Sequence, residues 1–324
     1  MRSFQSPLRW FLLVISMMTC AATARPALAQ SSGQAAGQGT EPVRTWWLPP
    51  NVFSESADID TLFYGILWLT CAVCVGVFIA LIAFLIKYRH QPGRHARFIH
   101  GNNKLETVWT LIPTVILALI AAVSQTSWAR MKKPPVTPVA QALPDDQIAE
   151  VVELRVVGIQ FKWYFQYPGR DGKLGELKRE LKKVSPNFDE LIGLDRSGDG
   201  KDDIVTPVMY VPVNRPVYIH LTSVDVLHSF FLPEFRIKQD AVPGLEPKVW
   251  FNANKTSAEI NGVDGRGSPR PFDIVCAELC GQGHYTMRGE LYVVNDEQFI
   301  EWRKGEYEFL GFGTEGEGGD DAGY

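Results

Sequence analysis

Two stretches of the 324-residue chain, Leu62 to Ile86 and Thr107 to Trp128, carry no charged side chain. Each is long enough, as a helix, to cross a hydrocarbon core of about 30 Å. The pattern predicts a two-helix transmembrane hairpin over residues 61–133 with residues 87–106 as its loop. Beyond it the rhythm changes. Short runs rich in Val, Ile, Tyr, Phe and Trp recur between Pro, Gly and Asp, over 153–157, 161–167, 208–211, 217–222, 249–252, 272–275 and 290–294. Alternating runs of this length predict antiparallel strands of an all-β sandwich over residues 134–307, since parallel strands call for long crossovers, usually helical. A charged break over residues 170–206 reads as an insertion with a short solvated helix over Glu176–Lys183. A last helix is expected over Asp296–Lys304, and residues 308–324 read as a disordered acidic tail.

Residues 1–29 combine Arg2 and Arg9, an apolar run from Trp10 to Ala22, and Ala27-Leu28-Ala29 before Gln30. This is the layout of an export signal cleaved ahead of Gln30, and its apolar run is short for a third span. Residues 30–60 then form an extracytoplasmic N-terminal segment. The hairpin loop holds Lys87, Arg89, Arg94, Arg97 and Lys104, whereas Asp58 and Asp60 precede the first span. The positive-inside rule therefore puts the loop in the cytoplasm and both mature termini outside, across a bacterial-type plasma membrane. The net charge of -4 conceals an asymmetry: residues 134–324 hold 31 Asp and Glu against 20 Lys and Arg, a net -11. Such an outer domain attracts a basic partner and repels nucleic acid.

The candidate chemistry sits near the C-terminal end. Cys276, Cys280, His284 and Met287 fall within twelve residues, with His228 upstream, and Gly281 and Gly283 break any helix that would bury them. Outside the cytoplasm the two cysteines could pair as a disulfide, which would leave both histidines and the methionine unused. Two thiols, two imidazoles and a thioether favour copper, because structural zinc has no use for Met287. One Cys suffices for a mononuclear copper site, so the second lets two thiolates bridge two ions, with His228 and His284 terminal, one per ion. Cys71 and Cys74, inside the first span, read as packing material. Asp195, Asp199 and Asp203, with Gly200 at the sixth position, resemble the first half of a calcium loop, although Thr206 stands where a bidentate Glu belongs. No C-x-x-C-H signal occurs, so no c-type haem is attached to this chain.

The loop C-A-E-L-C-G-Q-G-H-Y-T-M, preceded by Asp225-Val-Leu-His228-Ser-Phe and Lys238-Gln-Asp240-Ala-Val-Pro243-Gly244, resembles subunit II of cytochrome c oxidase, one of the haem-copper oxidases. Leu105-Glu106-Thr-Val-Trp109-Thr110-Leu-Ile-Pro113 is similar to the start of that family's second helix. The resemblance covers residues 55–305 and implies a cupredoxin-like sandwich carrying the dinuclear copper centre CuA. It implies Cys276 and Cys280 as bridging thiolates, His228 and His284 as imidazole ligands and Met287 as a weak sulfur ligand. Glu278 would give copper its carbonyl, and its side chain would join a magnesium site shared with subunit I. The family places a glutamate such as Glu106 at the mouth of a proton path; a solvated helix-end charge is the plainer reading. His220 reads as a partly exposed strand histidine.

Phe161-Lys162-Trp163 stands where the family commonly has Trp-Tyr-Trp. Phe161 thus occupies the usual electron input position, Trp163 matches the second Trp, and Lys162 adds a positive charge where a basic cytochrome would dock. Asp225 matches a carboxylate of the docking surface. The resemblance implies the electron-input subunit of a respiratory oxidase, fed by a c-type cytochrome and bound to subunit I, subunit III and membrane lipid. Two rivals remain: the corresponding CuA subunit of a nitric oxide reductase, and a membrane-tethered copper-binding or copper-delivery protein. Quinol oxidases share the architecture but lack the ligand set.

Overall fold

The computed structural model describes residues 48–312 apart from 96, 97, 99 and 135. The expected export signal and residues 313–324 of the tail expected over 308–324 lie outside the described residues, whereas residues 308 and 309 belong to the last helix, Asp296–Phe309. Helix α1 spans Ala57–Lys87 and helix α2 spans Asn103–Lys132, each longer than its charge-free run. The Asn102 side chain caps α2, accepting the Leu105 N–H at 3.2 Å. Arg130 pairs with Asp58 at 2.6 Å across one end of the hairpin. Both groups are largely exposed there, so the pair contributes at most about 1 kcal/mol.

The remaining elements in chain order are β1 Val152–Ile159, β2 Lys162–Tyr167, α3 Phe188–Ile192, β3 Ile204–Thr206, β4 Val208–Pro212, β5 Pro216–Ser223 and β6 His228–Leu232. They continue as β7 Ile237–Ala241, β8 Lys248–Asn252, α4 Ser257–Asn261, β9 Phe272–Cys276, β10 Arg288–Val294 and α5 Asp296–Phe309. The strands form two five-stranded sheets, ordered β3-β2-β1-β5-β8 and β4-β10-β9-β6-β7. Strand β5 shows the period-two logic: Val217, Ile219 and Leu221 are buried, while Tyr218, His220 and Thr222 are not. Facing them across the core are Met209, Phe230, Phe272 and Leu291, all essentially inaccessible.

Three expectations need correction. Most strand pairs are antiparallel, but β1 runs parallel to β5 and β10 parallel to β4. No helical crossover is required, because the chain between β1 and β5 includes β4, which lies in the opposite sheet. Strands β3, β6 and β7 were not expected; β6 is buried at four of its five positions and so lacks alternation, and β7 is a polar edge strand. The run Glu176–Lys183 is not a helix. Leu177 bridges Leu194, only Arg179–Leu181 forms a 3-10 turn, and the helix of the insertion is α3. Asn187 caps α3 and Gly193, at φ 77°, ends it in the left-handed conformation that glycine tolerates. The insertion also covers the outer face of its sheet, where Val157 and Tyr164 pack with Ile192 and Leu194.

The chain ahead of α1 fastens the hairpin to the sandwich. Val52 and Phe53 are fully buried, and the Phe53 ring meets Trp250 edge-on at 5.2 Å. The Val52 N–H donates to the Glu234 carbonyl at 3.1 Å. Arg236, in the turn between β6 and β7, donates to Asp60 of α1 at 2.7 Å and to the Pro49 carbonyl at 2.7 Å.

Candidate metal centre

The ligand-bearing residues come from two neighbouring strands and one loop. His228 opens β6 and Cys276 ends β9; the two strands pair with Cys276 opposite Phe230, two residues along β6 from His228. Cys280, His284 and Met287 lie on the loop from β9 to β10. Its base is tied where the Cys276 N–H donates to the Met287 carbonyl at 3.2 Å. A 3-10 turn over His284–Thr286 points the loop back toward β10. Gly281 sits at φ 137°, a region where other residues are strained.

The two sulfurs, Cys276 Sγ and Cys280 Sγ, are 3.9 Å apart. His228 Nδ1 lies 3.9 Å from Cys276 Sγ, and His284 Nδ1 lies 3.7 Å from Cys280 Sγ. Met287 Sδ is 3.8 Å from Cys280 Sγ, and the Glu278 carbonyl oxygen is 3.2 Å from Cys276 Sγ. Ligand atoms of His228, Cys276 and Cys280 all fall within 4.8 Å of one another, a spacing that could hold a metal ion. His228 is fully buried, and Cys276, Cys280 and Met287 are nearly so. In the metal-free thiol form, burial first and the adjacent Cys276 second push the Cys280 thiol up to about 11. A bound cation reverses that preference, since coordinated thiols are deprotonated.

The surrounding residues fix this arrangement. Asp225 Oδ1 lies 2.9 Å from His228 Nε2, so the ring donates from Nε2 and keeps the Nδ1 lone pair for the site. Burial raises Asp225, but hydrogen bonds from His228, the Gln160 N–H and the Val226 N–H outweigh it and hold the carboxyl near about 2. Asp225 is therefore turned into the protein rather than freely presented to a partner. Trp163 is buried and meets the His228 ring at 5.9 Å and 64°. A Cβ on Gly158 would come within 2.9 Å of His228 Cδ2 and 3.1 Å of the Trp163 ring, so only glycine leaves room for this contact. Phe161 lies over the ligand loop: a Cβ on Gly281 would be 3.1 Å from its ring, and one on Gly283 closer still.

The structure thus gathers His228, Cys276, Glu278, Cys280, His284 and Met287 with Phe161, Trp163 and Asp225. Glu106 is elsewhere, in the first turn of α2, about 36 Å from Arg130 along that helix at 1.5 Å per residue. His220 is also separate; it lies 2.6 Å from Glu153. The three aspartates of the calcium-loop resemblance have other partners. Asp195 is engaged by Lys178 at 2.5 Å and by Ser197, and it is held well below the usual carboxylate range by those hydrogen bonds. Asp203 is turned inward, accepting N–H groups of Gly169 and Gly175 and the Gln166 carboxamide. Asp199 is exposed near Lys173. The carboxylates diverge because each satisfies a different part of the insertion. Gly158 and Gln160 were missed as site residues; a lone glycine within a strand run is a signal of close approach, and Gln160 offered none.

A sandwich holding a buried soft-ligand cluster behind a two-helix hairpin defines a membrane-anchored cupredoxin-like metalloprotein. Residues 48–126 match the family described as cytochrome c oxidase subunit II, transmembrane domain, and residues 152–294 match its periplasmic domain. The chain is 30% identical over 270 residues to an alternative cytochrome c oxidase subunit 2 of Bradyrhizobium diazoefficiens, covering 82% of this chain and 86% of that one. It is 30% identical over 256 residues to cytochrome c oxidase subunit 2 of Cereibacter sphaeroides, covering 74% and 75%. The periplasmic domain of subunit II of Bradyrhizobium japonicum is similar at 28% identity and a TM-score of 0.33, over 49% of this chain and 94% of that one. The chain belongs to the cytochrome c oxidase subunit II family. It is a membrane-anchored cytochrome c oxidase subunit with a periplasmic domain, and neither the nitric oxide reductase nor the copper-delivery reading is favoured.

Proposed function

We propose that this chain accepts single electrons from a c-type cytochrome at a dinuclear copper centre and passes them to haem in subunit I, where oxygen is reduced to water and protons are translocated. One observation carries the reading. Two thiols 3.9 Å apart each face their own imidazole nitrogen, His228 for Cys276 and His284 for Cys280, which suits two ions sharing two sulfurs. A centre of that kind supplies one-electron redox chemistry with the electron shared between the ions.

The protein's own residues supply the rest. Cys276 and Cys280 would hold the copper through their thiolates, His228 and His284 through their imidazoles, and Met287 and the Glu278 carbonyl would add weaker contacts. Burial excludes water, and the strand pairing of β6 with β9 holds His228 beside Cys276 without rearrangement. Asp225 fixes the His228 tautomer. Phe161, half-buried, is packed on the ligand loop, and Lys162 beside it is exposed, which fits a donor other than a strongly basic cytochrome. The Glu278 side chain is proposed to reach a magnesium site shared with subunit I, and Glu106 to open a proton path on the cytoplasmic side. Both mature termini are proposed to be periplasmic, with subunit III and lipid as further neighbours.

Metal analysis of the complex purified from membranes, with other copper subunits counted, tests this reading. Two copper ions per copy of this chain are expected. Zinc in the cluster, or a single copper ion, would overturn it.

A further inference from the structure

The tight turn from β1 to β2 consists of Gln160 and Phe161, between the paired residues Ile159 and Lys162. Gln160 uses two donors in two directions. Its backbone N–H donates to Asp225 Oδ2 at 2.7 Å, and its carboxamide Nε2 donates to the Cys280 carbonyl at 2.6 Å. Asp225 in turn accepts from His228 through its other oxygen. One residue therefore touches the loop carrying Cys280 and the loop leading to His228, which lie 120 and 65 positions away in the chain for the two bonds.

We propose that Gln160 is a positioning residue of the metal centre, bracing the Cys280 end of the ligand set against the His228 end. This rests on the copper reading given above. Backbone hydrogen bonds describe why the loop needs such a brace. The β9–β10 loop is tied at its base by Cys276 and Met287, and the Ala277 N–H donates to the Ser229 carbonyl. At Cys280, the middle of the loop, the link to the rest of the sandwich is the Gln160 carboxamide. Gly281, next in sequence, has no side chain, and a Cβ there would come within 2.9 Å of Gln160 Nε2. The carboxamide can thus lie flat on the loop only because Gly281 leaves the space.

The bond also has an electrostatic consequence. A carbonyl oxygen next to a thiolate pair carries negative charge toward the site, and an N–H donor on that carbonyl offsets it. Removing the donor favours the more positive, oxidised state of the centre and lowers its reduction potential. It also frees the loop, and loss of an outer partner of a metal ligand typically weakens metal retention about 10- to 100-fold.

The test uses the full-length chain in detergent, as wild type, as Gln160→Met, which keeps length but has no donor, and as Gln160→Glu, which sets an oxygen against the Cys280 carbonyl. Three readouts apply: the rate of Cys280 labelling by a thiol reagent in the reduced metal-free protein, copper retention against a chelator, and reduction potential. Both variants are expected to label faster, to hold copper about 10- to 100-fold more weakly and to show a lowered potential, with Glu the more severe. Wild-type values in all three for Gln160→Met would overturn the proposal. Loss of the folded sandwich in both metal-free variants would also overturn it, by assigning Gln160 to the fold instead. Should wild type itself fail to hold two copper ions, the copper reading falls, while the labelling rates still decide whether Gln160 braces the loop.

Discussion

Asp225 Oδ1 and His228 Nε2 are 2.9 Å apart, and that one contact decides which imidazole nitrogen of His228 faces the sulfur pair. With Nε2 donating, Nδ1 is left as the free lone pair, aimed at Cys276. Asp225→Ala leaves a buried N–H without its partner, at a cost of about 1–3 kcal/mol in the folded domain, and lets the ring turn. Copper retention should fall about 10- to 100-fold. Chelator competition checks this, and unchanged retention would remove Asp225 from the support of the site.

Gly158 makes room for that same ring. Gly158→Ala places a methyl 2.9 Å from His228 Cδ2 and 3.1 Å from the Trp163 ring, and both rings are buried. A destabilisation of about 1–3 kcal/mol is expected in chemical unfolding of the metal-free protein, as for other overpacked cores. An unaltered midpoint would mean that the two rings shift at no cost.

The sulfur ligands separate by strength. Cys280→Ser should abolish the dinuclear centre and electron input while membrane insertion persists, since the hairpin does not depend on that loop. Met287→Leu nearly preserves volume and should move the reduction potential without unfolding the domain. Voltammetry of the loaded variant checks the second expectation; a potential identical to wild type would take Met287 out of the site.

The insertion has its own pH signature. Burial raises the Asp203 carboxyl to about 6, against the N–H groups of Gln166, Gly175 and Gly169 that favour its charged form. A raised carboxyl favours the neutral acid in the fold. Its stabilising effect is therefore full below about pH 4, and it is lost as pH rises through about 6, by on the order of 3 kcal/mol. Asp203→Asn removes the titration, so the stability difference between variant and wild type should shift toward Asn between those pH values. A difference that stays flat with pH would contradict the assignment.

Much of this was legible in the chain. The hairpin is visible because charge-free runs of membrane length seldom suit a chain that stays in water, and β5 because Val217, Ile219 and Leu221 keep strict alternation. The ligand loop announced itself by residue type and spacing. Strand β6 did not, because His-Ser-Phe-Phe-Leu is buried on both faces and has no period to read. The parallel pairs of β1 with β5 and β4 with β10 arise from chain crossing between sheets, which no local pattern records. Residues 176–183 carry helix-forming Glu, Leu and Lys, yet the bridge of Leu177 to Leu194 takes the start of the run out of helical conformation and leaves only a 3-10 turn at Arg179–Leu181. Gln160 acts through a backbone carbonyl 120 positions away, a partner that only the folded chain supplies.

The central claim is that Cys276 and Cys280 share two copper ions. Electron paramagnetic resonance of the copper-loaded full-length protein tests it most directly. A seven-line hyperfine pattern, from one unpaired electron spread over two equivalent copper nuclei, is the expected result. A four-line pattern, with the electron confined to one copper, would contradict it.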